Sequence, residues 1–264
     1  MENKICIIYT YFNSQSSNYN FNYFVKNELK QSETIDYILV INGFDYHKDI
    51  TIPILSNVTI LKRENKGFDF GGHAHAIKYI KENNKTYDYY FFMNSGVIGP
   101  IQPFYLNESS HWSQYFIKKI NDTVKLVGTT IVCLPHKDKG GFGPKVEGFF
   151  FMTDTIGLDI FTNKKTIFTD HETKEAAILN GEYALSKAIF ENGYSIDCMI
   201  KKYQGIDWKD SKNHTMNNYW HPSRHESFYG HSLIPYELIF HKWHWHNKKK
   251  VNFNIIQQYV EFLT

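Results

Sequence analysis

Glu182 stands near the start of a helical pattern in the segment NGEYALSKAIFENGYSID, where Leu185, Ala188 and Ile189 mark the face that turns inward. A carboxylate held by a rigid element at a cleft edge can take a proton from a hydroxyl, given a suitable pKa. The same carboxylate could simply complement the positive end of the helix. Glu147, in KVEGFFF ahead of an aromatic run, is a second candidate for the base.

Two further segments carry the residue types of a ligand-binding edge. RENKGFDFGG brings Asn65, Gly67, Asp69, Gly71 and Gly72 together at a strand-to-helix junction. Glycines there let the backbone approach a ligand, and the N–H groups of the next helix suit an anion. The segment spells neither GxGxxG nor the P-loop. A tight turn capped by Asp69 is therefore the alternative to an Asp69 that holds a ribose or sugar hydroxyl. In YDYYFFMNSGVIGP an aromatic run stops at Asn94, Ser95 and Gly96, small groups at the kind of strand end where open α/β sheets bind ligands. The carboxylates that hard cations favour are missing from this strand end, and a simple turn ahead of Pro100 is the competing reading. In FHKWHWH, alternation puts His244 and His246 on one face, with Lys242 nearby. The spacing fits no strong zinc pattern, so aromatic packing or sugar stacking competes with a phosphate contact.

The elements that must position these groups can be read from the apolar pattern. Continuous apolar runs at Lys4 to Tyr11 and Asp36 to Ile41 suit strands buried on both faces, as in a parallel sheet. Helical spacing in NFNYFVKNELKQ joins them into a βαβ unit. A short strand at Val58 to Leu61, a helix from FDFGGHAHAIKYIKENN and the aromatic strand before Asn94 continue the alternation. An open α/β sheet results, with its crevice at the carboxyl ends of the strands. Beyond Pro103 the expectation is mixed: a helix in HWSQYFIKKIN, one strand in VKLVGTTIVCL, a strand turning into a helix in GFFFMTDTIGLDIF, a helix over Thr173 to Asn192 and a strand in YSIDCMI. Asp207 to Tyr229 reads as a long polar loop, and the tail closes in a short amphipathic helix.

Composition removes several function classes. With 264 residues and 42% hydrophobic content the chain can build a sizeable core. The 29 basic against 27 acidic residues leave a net charge of only +2, which disfavours nucleic acid as partner. Cys6, Cys133 and Cys198, each inside an apolar run, read as buried free thiols of a reducing compartment. The N-terminal apolar run is too short for a signal peptide and no run reaches the length of a membrane span. A cytoplasmic location is expected, with peripheral membrane contact open to the basic tail.

Taken together, NKGFDFGG from Asn65 and NSGVIGP from Asn94 resemble two segments of the rhamnan synthesis protein F type, within the GT-A fold of nucleotide-sugar glycosyltransferases. GEYALSKAIFENGYSI is similar to the helix of inverting enzymes that carries the catalytic base, with Glu182 at the base position and Gly181 replacing the preceding Glu. PYELIFHKWHW is similar to a tail of related sugar transferases. The resemblance implies a single α/β domain of GT-A type over 1–264, with a mostly parallel central sheet flanked by helices and a mixed C-terminal half. It implies a nucleotide-sugar-binding half at 1–105, an acceptor and catalytic half at 106–220, and a tail at 221–264 that closes the site. The activity implied is transfer of a hexosyl or rhamnosyl group from a UDP- or dTDP-sugar to a glycan hydroxyl in polysaccharide biosynthesis, with inversion. Tyr9, Thr10, Tyr11 and Asn13 would hold the nucleobase and ribose. GT-A enzymes bind Mn²⁺ or Mg²⁺ through an Asp-x-Asp motif where this chain has Asn94-Ser95-Gly96, so Lys242, His244 and His246 become candidates for the diphosphate. The alternative from another class is a non-catalytic glycan-binding protein on the same scaffold.

Overall fold

A computed structural model describes residues 3–103, 111–242 and 260. The first half alternates as the apolar runs require: β1 (Ile5–Phe12), α1 (Gln15–Asn27), β2 (Ile35–Asn42), β3 (Val58–Arg63), α2 (Phe68–Glu82) and β4 (Tyr89–Asn94). Helix α1 starts well before the expected NFNYFVKNELKQ segment, because Ser14 caps it by accepting from the Ser17 N–H. Then come α3 (Ser113–Ile117), β5 (Val124–Gly128), β6 (Ile131–Leu134), β7 (Gly143–Val146), β8 (Phe150–Asp154) and α4 (Thr155–Asn163). The chain continues through α5 (Lys174–Ala176), a π-helical turn (Ala177–Glu182), α6 (Tyr183–Glu191), β9 (Ser195–Cys198) and α7 (Pro235–Leu238). The C-terminal helix expected in the tail lies outside the described residues.

Seven strands form the central sheet in the order β3-β2-β1-β4-β8-β5-β9. Only β8 runs against its neighbours, pairing antiparallel with both β4 and β5. The expected α/β architecture is observed, a mostly parallel sheet with helices packed on both faces. Two differences are instructive. VKLVGTTIVCL is not one strand: it breaks at Thr129-Thr130, so β5 stays in the main sheet and β6 leaves it to pair with β7 as a separate hairpin. The helix in HWSQYFIKKIN shrinks to five residues.

The core lies on the two faces of the sheet. Tyr9, Phe21, Phe24, Phe91, Phe116 and Phe150 fill one side with α1 and α3. Phe70, Phe92, Phe151, Phe161, Leu185 and Ile189 fill the other with α2, α4 and α6. The all-apolar strands are needed because both faces are covered.

Below α1, a single buried carboxylate ties three elements together. Glu28, 5% exposed, accepts from Trp112 Nε1 at 2.7 Å and Tyr37 OH at 3.0 Å, and lies 2.8 Å from His111 Nε2. Truncating it strands those donors in the core, where an unmade bond to a charged partner costs most. Glu28→Ala is expected to lower the unfolding free energy by about 3–5 kcal/mol, measured by urea denaturation, with Glu28→Gln recovering part of it.

Candidate functional site

The order β3-β2-β1-β4 reverses between β1 and β4, and a ligand crevice opens at such a switch point. Register aligns the strand ends there: Phe12 faces Asn42 across β1 and β2, and Thr10 faces Asn94 across β1 and β4. A cavity of about 760 Å³ opens over them, lined by Thr10, Phe12, Asn42, the loop from Asn65 to Asp69, Asn94 to Gly96, and Asp170 to Glu172.

The glycines of the β3–α2 junction serve packing more than ligand contact. Gly67 starts α2 in the left-handed region at φ 72°. A Cβ at Gly67 or Gly71 would collide with Asp170, and one at Gly72 with the Thr10 side chain. Helix α2 has no side-chain N-cap, so Asp69 does not cap it. Its carboxylate instead accepts from Asn94 Nδ2.

The Asn94 turn is closed upon itself. Asn94 Oδ1 accepts from Gly96 N–H at 2.9 Å, Ser95 N–H donates to the Thr10 carbonyl at 2.9 Å, and Val97 N–H to the Asn94 carbonyl at 3.3 Å. Backbone N–H groups here are therefore spent inside the protein and do not face a diphosphate. The same closure bears on a divalent cation. The amide oxygen of Asn94 and one oxygen of Asp69 are both engaged, and no group of three or more His, Cys, Asp or Glu that could hold a metal occurs among the described residues. The turn thus leaves one Asp69 oxygen as its carboxylate donor, the low end of what a nucleotide-bound Mg²⁺ takes from protein.

Antiparallel β8 brings the second half of the chain to the same edge. Asn94 N–H donates to the Phe149 carbonyl at 3.1 Å, which sets Gly148 beside the strand end. Glu182 leans on that glycine and accepts from its N–H; a Cβ at Gly148 would stand 2.7 Å from Glu182 Cγ. Burial pushes the Glu182 carboxyl up to about 7, against the opposing pull of Lys242, with Glu147 and Asp69 adding to the rise. Glu182 keeps partial contact with solvent. Lys242 lies over the Phe149 ring, 5.2 Å from its centroid, and close to Gly96.

Glu147 sits differently. It is 1% exposed and receives Thr130 Oγ1 at 2.6 Å and Ser223 Oγ at 3.2 Å, with His221 Nδ1 at 2.9 Å. Burial alone would raise its pKa, but the bonds from His221, Thr130 and Ser223 outweigh burial and hold it below the usual range. A saturated, enclosed carboxylate cannot reach a substrate hydroxyl.

Of Tyr9, Thr10, Tyr11 and Asn13, only Thr10 lines the cavity, its hydroxyl 3.0 Å from buried His73 Nδ1. Tyr9 is 1% exposed and packs on Phe21 and Phe24. Tyr11 is buried and bonds Asn18, and exposed Asn13 does not line the cavity. The alternation of a strand explains this, since Tyr9 and Tyr11 face α1 while Thr10 faces α2. His244 and His246 lie outside the described residues. Sequence reasoning does not single out Phe12, Asn42, Gly148, Asp170 or His221. Asn42-Gly43 ends a strand as Asn94-Ser95-Gly96 does, and that parallel could have marked it; Asp170 and His221 sit in loops without a signal.

The family model described as rhamnan synthesis protein F matches residues 47–223. No curated protein sequence matches the chain. Among solved structures, the chain is similar to a mannosyltransferase from Pyrobaculum calidifontis in complex with GDP-Man and Mn²⁺, at 10% identity and a TM-score of 0.43. The likeness covers 75% of this chain and 55% of that one.

The raised Glu182 pKa is also a statement about stability. Between its ordinary 4.5 and about 7 the unfolded chain has lost the proton that the folded protein keeps, so this group erodes stability as pH rises. At about 1.36 kcal/mol per unit, discounted for partial solvent contact, Glu182→Gln is expected to stabilise the protein by roughly 2 kcal/mol at pH 8.5. At pH 4 the gain should vanish, as measured by urea denaturation at both pH values.

Proposed function

The chain belongs to the rhamnan synthesis protein F family, and on that premise we propose that it transfers a sugar from a nucleotide-diphosphate donor to a glycan hydroxyl with Glu182 as general base. The observation that carries the reading is the placement of Glu182: a carboxyl raised to about 7, held by Gly148 N–H and in the field of Lys242, next to the strand end where Phe149 bonds Asn94 of the cavity wall. Burial gives it basicity near neutral pH, which an exposed glutamate lacks.

In this mechanism the ionised Glu182 takes the acceptor's hydroxyl proton as the oxygen attacks the anomeric carbon. The new carbon–oxygen bond forms on one face while the bond to the diphosphate breaks on the other, and the anomeric configuration inverts. The leaving diphosphate gathers negative charge, which a preorganised cation stabilises by several kcal/mol. Lys242, beside Gly96, and Lys66, in the cavity wall, are the cations at hand. The closed Asn94 turn supplies shape. In the same reading, residues 1–105 hold the donor, 106–220 the acceptor and base, and 221–264 close the site. The donor is a hexosyl or rhamnosyl nucleotide and the product a polysaccharide.

Glu182→Gln is expected to cut turnover about 10²–10⁴-fold, the worth of a general base, with the donor dissociation constant within about twofold of the parent. In the parent, kcat/KM should rise with pH through about 7 and then level off, as the base loses its proton; equal turnover in the variant would remove Glu182 from the role. Turnover is also expected to persist in EDTA. Complete loss, restored by Mn²⁺, would assign the leaving-group charge to a cation.

A further inference from the structure

One end of the cavity carries two acceptors, the Asn42 amide oxygen and the Asp170 carboxylate, with Lys66 beside the second. Asn42 is 3% exposed, and its Nδ2 donates to the Phe68 carbonyl at 3.1 Å, which fixes the orientation of the amide. Its Oδ1 is itself buried and has no hydrogen-bond partner, in a residue that lines the cavity. A buried acceptor left unmade costs about 1–3 kcal/mol, and a ligand that donates would recover that cost.

Asp170 supplies the second acceptor, and the fold goes to some length to hold it there. It belongs to the loop between α4 and α5, which reaches back over the glycine junction through an antiparallel bridge between Gly67 and His171. Its Oδ1 is gripped by the guanidinium of Arg63, a side chain only 9% exposed. Gly67 and Gly71 are bare where this carboxylate lies. Its Oδ2 stands 3.5 Å from Lys66 Nζ, too long to use up its acceptor capacity.

Two aromatic faces flank these acceptors. Phe12 is 47% and Phe68 39% exposed, and Phe68 holds φ at 57°, a region an aromatic residue adopts only under constraint. Acceptors that need donors, set beside apolar faces, match a sugar ring, with hydroxyls at its edge and C–H groups on its faces. A phosphate group, which brings only acceptors, would meet the Asp170 carboxylate and find its donor there in Lys66 alone.

We propose that Asn42 and Asp170 form a diol-recognising subsite, that Asp170 is the specificity-determining residue in it, and that Arg63 is its positioning residue. This rests on the transferase reading, in which the transferred sugar carries vicinal hydroxyls and, in a donor built on UDP or GDP, the ribose does too. The subsite also orients the donor, placing hydroxyls at the Asp170 end and the diphosphate toward Lys242.

The test is calorimetric titration of the parent, Asp170→Asn, Arg63→Gln and Arg63→Lys with UDP, 2′-deoxy-UDP, GDP, 2′-deoxy-GDP, UDP-glucose and GDP-mannose, with melting curves to confirm folding. Asp170 is 40% exposed in its side chain, so its isosteric variant should fold. If the ribose occupies the subsite, Asp170→Asn weakens the ribonucleotides about 10- to 100-fold, as expected for a lost bond to a charged acceptor, and leaves the deoxy probes unchanged. If the transferred sugar does, the nucleotides bind as to the parent and the nucleotide sugars weaken by that factor. In either case Arg63→Gln should reproduce the loss and Arg63→Lys recover part of it. Parent-like affinity of Asp170→Asn for every probe the parent binds would overturn the subsite alone. Failure of the parent to bind any of the six, or dTDP and dTDP-rhamnose titrated beside them, would overturn the transferase reading beneath it.

Discussion

The bond from Asn94 N–H to the Phe149 carbonyl joins the two halves of the chain at the point where the site is made. Parallel strands deliver their carboxyl ends to one edge of a sheet, and an antiparallel strand delivers its amino end to the same edge. Because β8 is the one strand that runs backwards, Gly148, just ahead of it, arrives beside Asn94. Glu182 can then seat against a backbone N–H that the sheet itself has fixed. Were β8 parallel, that edge would carry Asp154, which here pairs with Lys125 far from the cavity.

Three of the carboxylates near this edge, Glu147, Asp69 and Glu182, are each treated differently by the protein. Glu147 is enclosed and given three donors, so it stays ionised and inert. Asp69 is tied to Asn94. Glu182 receives one N–H and the field of Lys242, too little to offset burial, and remains the carboxyl whose proton is exchangeable near neutral pH. Unequal solvation of neighbouring acids is what sorts them into structural and reactive roles.

Much of the first half is legible in the sequence because its signals are local. Continuous apolar runs mark β1, β2 and β4, and the small residues after them mark the sheet edge. The second half is harder. VKLVGTTIVCL has no break in its apolar pattern, and the split at Thr129-Thr130 is imposed from outside by pairing with β8 and β7. A family likeness assigns Tyr9 and Tyr11 to the ligand, while period-two alternation points them opposite to Thr10 and into the core. Loop residues such as Asp170 are invisible to pattern, since only the folded chain sets them against Arg63 across a separation of 107 residues.

The π-helical turn shows why Glu182 is nonetheless readable while its neighbour is not. An i→i+5 turn accommodates an extra residue and rotates the next stretch of helix, and such turns recur at functional sites. Here Ala177–Glu182 takes that form, so α6 can bury Leu185 and Ile189 in the usual rhythm while Glu182 points toward Gly148. Gly181, which departs from the acidic residue of similar helices, lies where a Cβ would meet the Phe70 ring at 2.8 Å. Phe70 is also part of the cage around His73, whose ring bonds the Thr10 hydroxyl of the switch-point cavity. Close packing of the π-helical turn on α2 thus excludes a side chain at 181, and the same contact fixes Glu182 relative to Thr10 of the cavity, as in-line attack requires in the proposed mechanism.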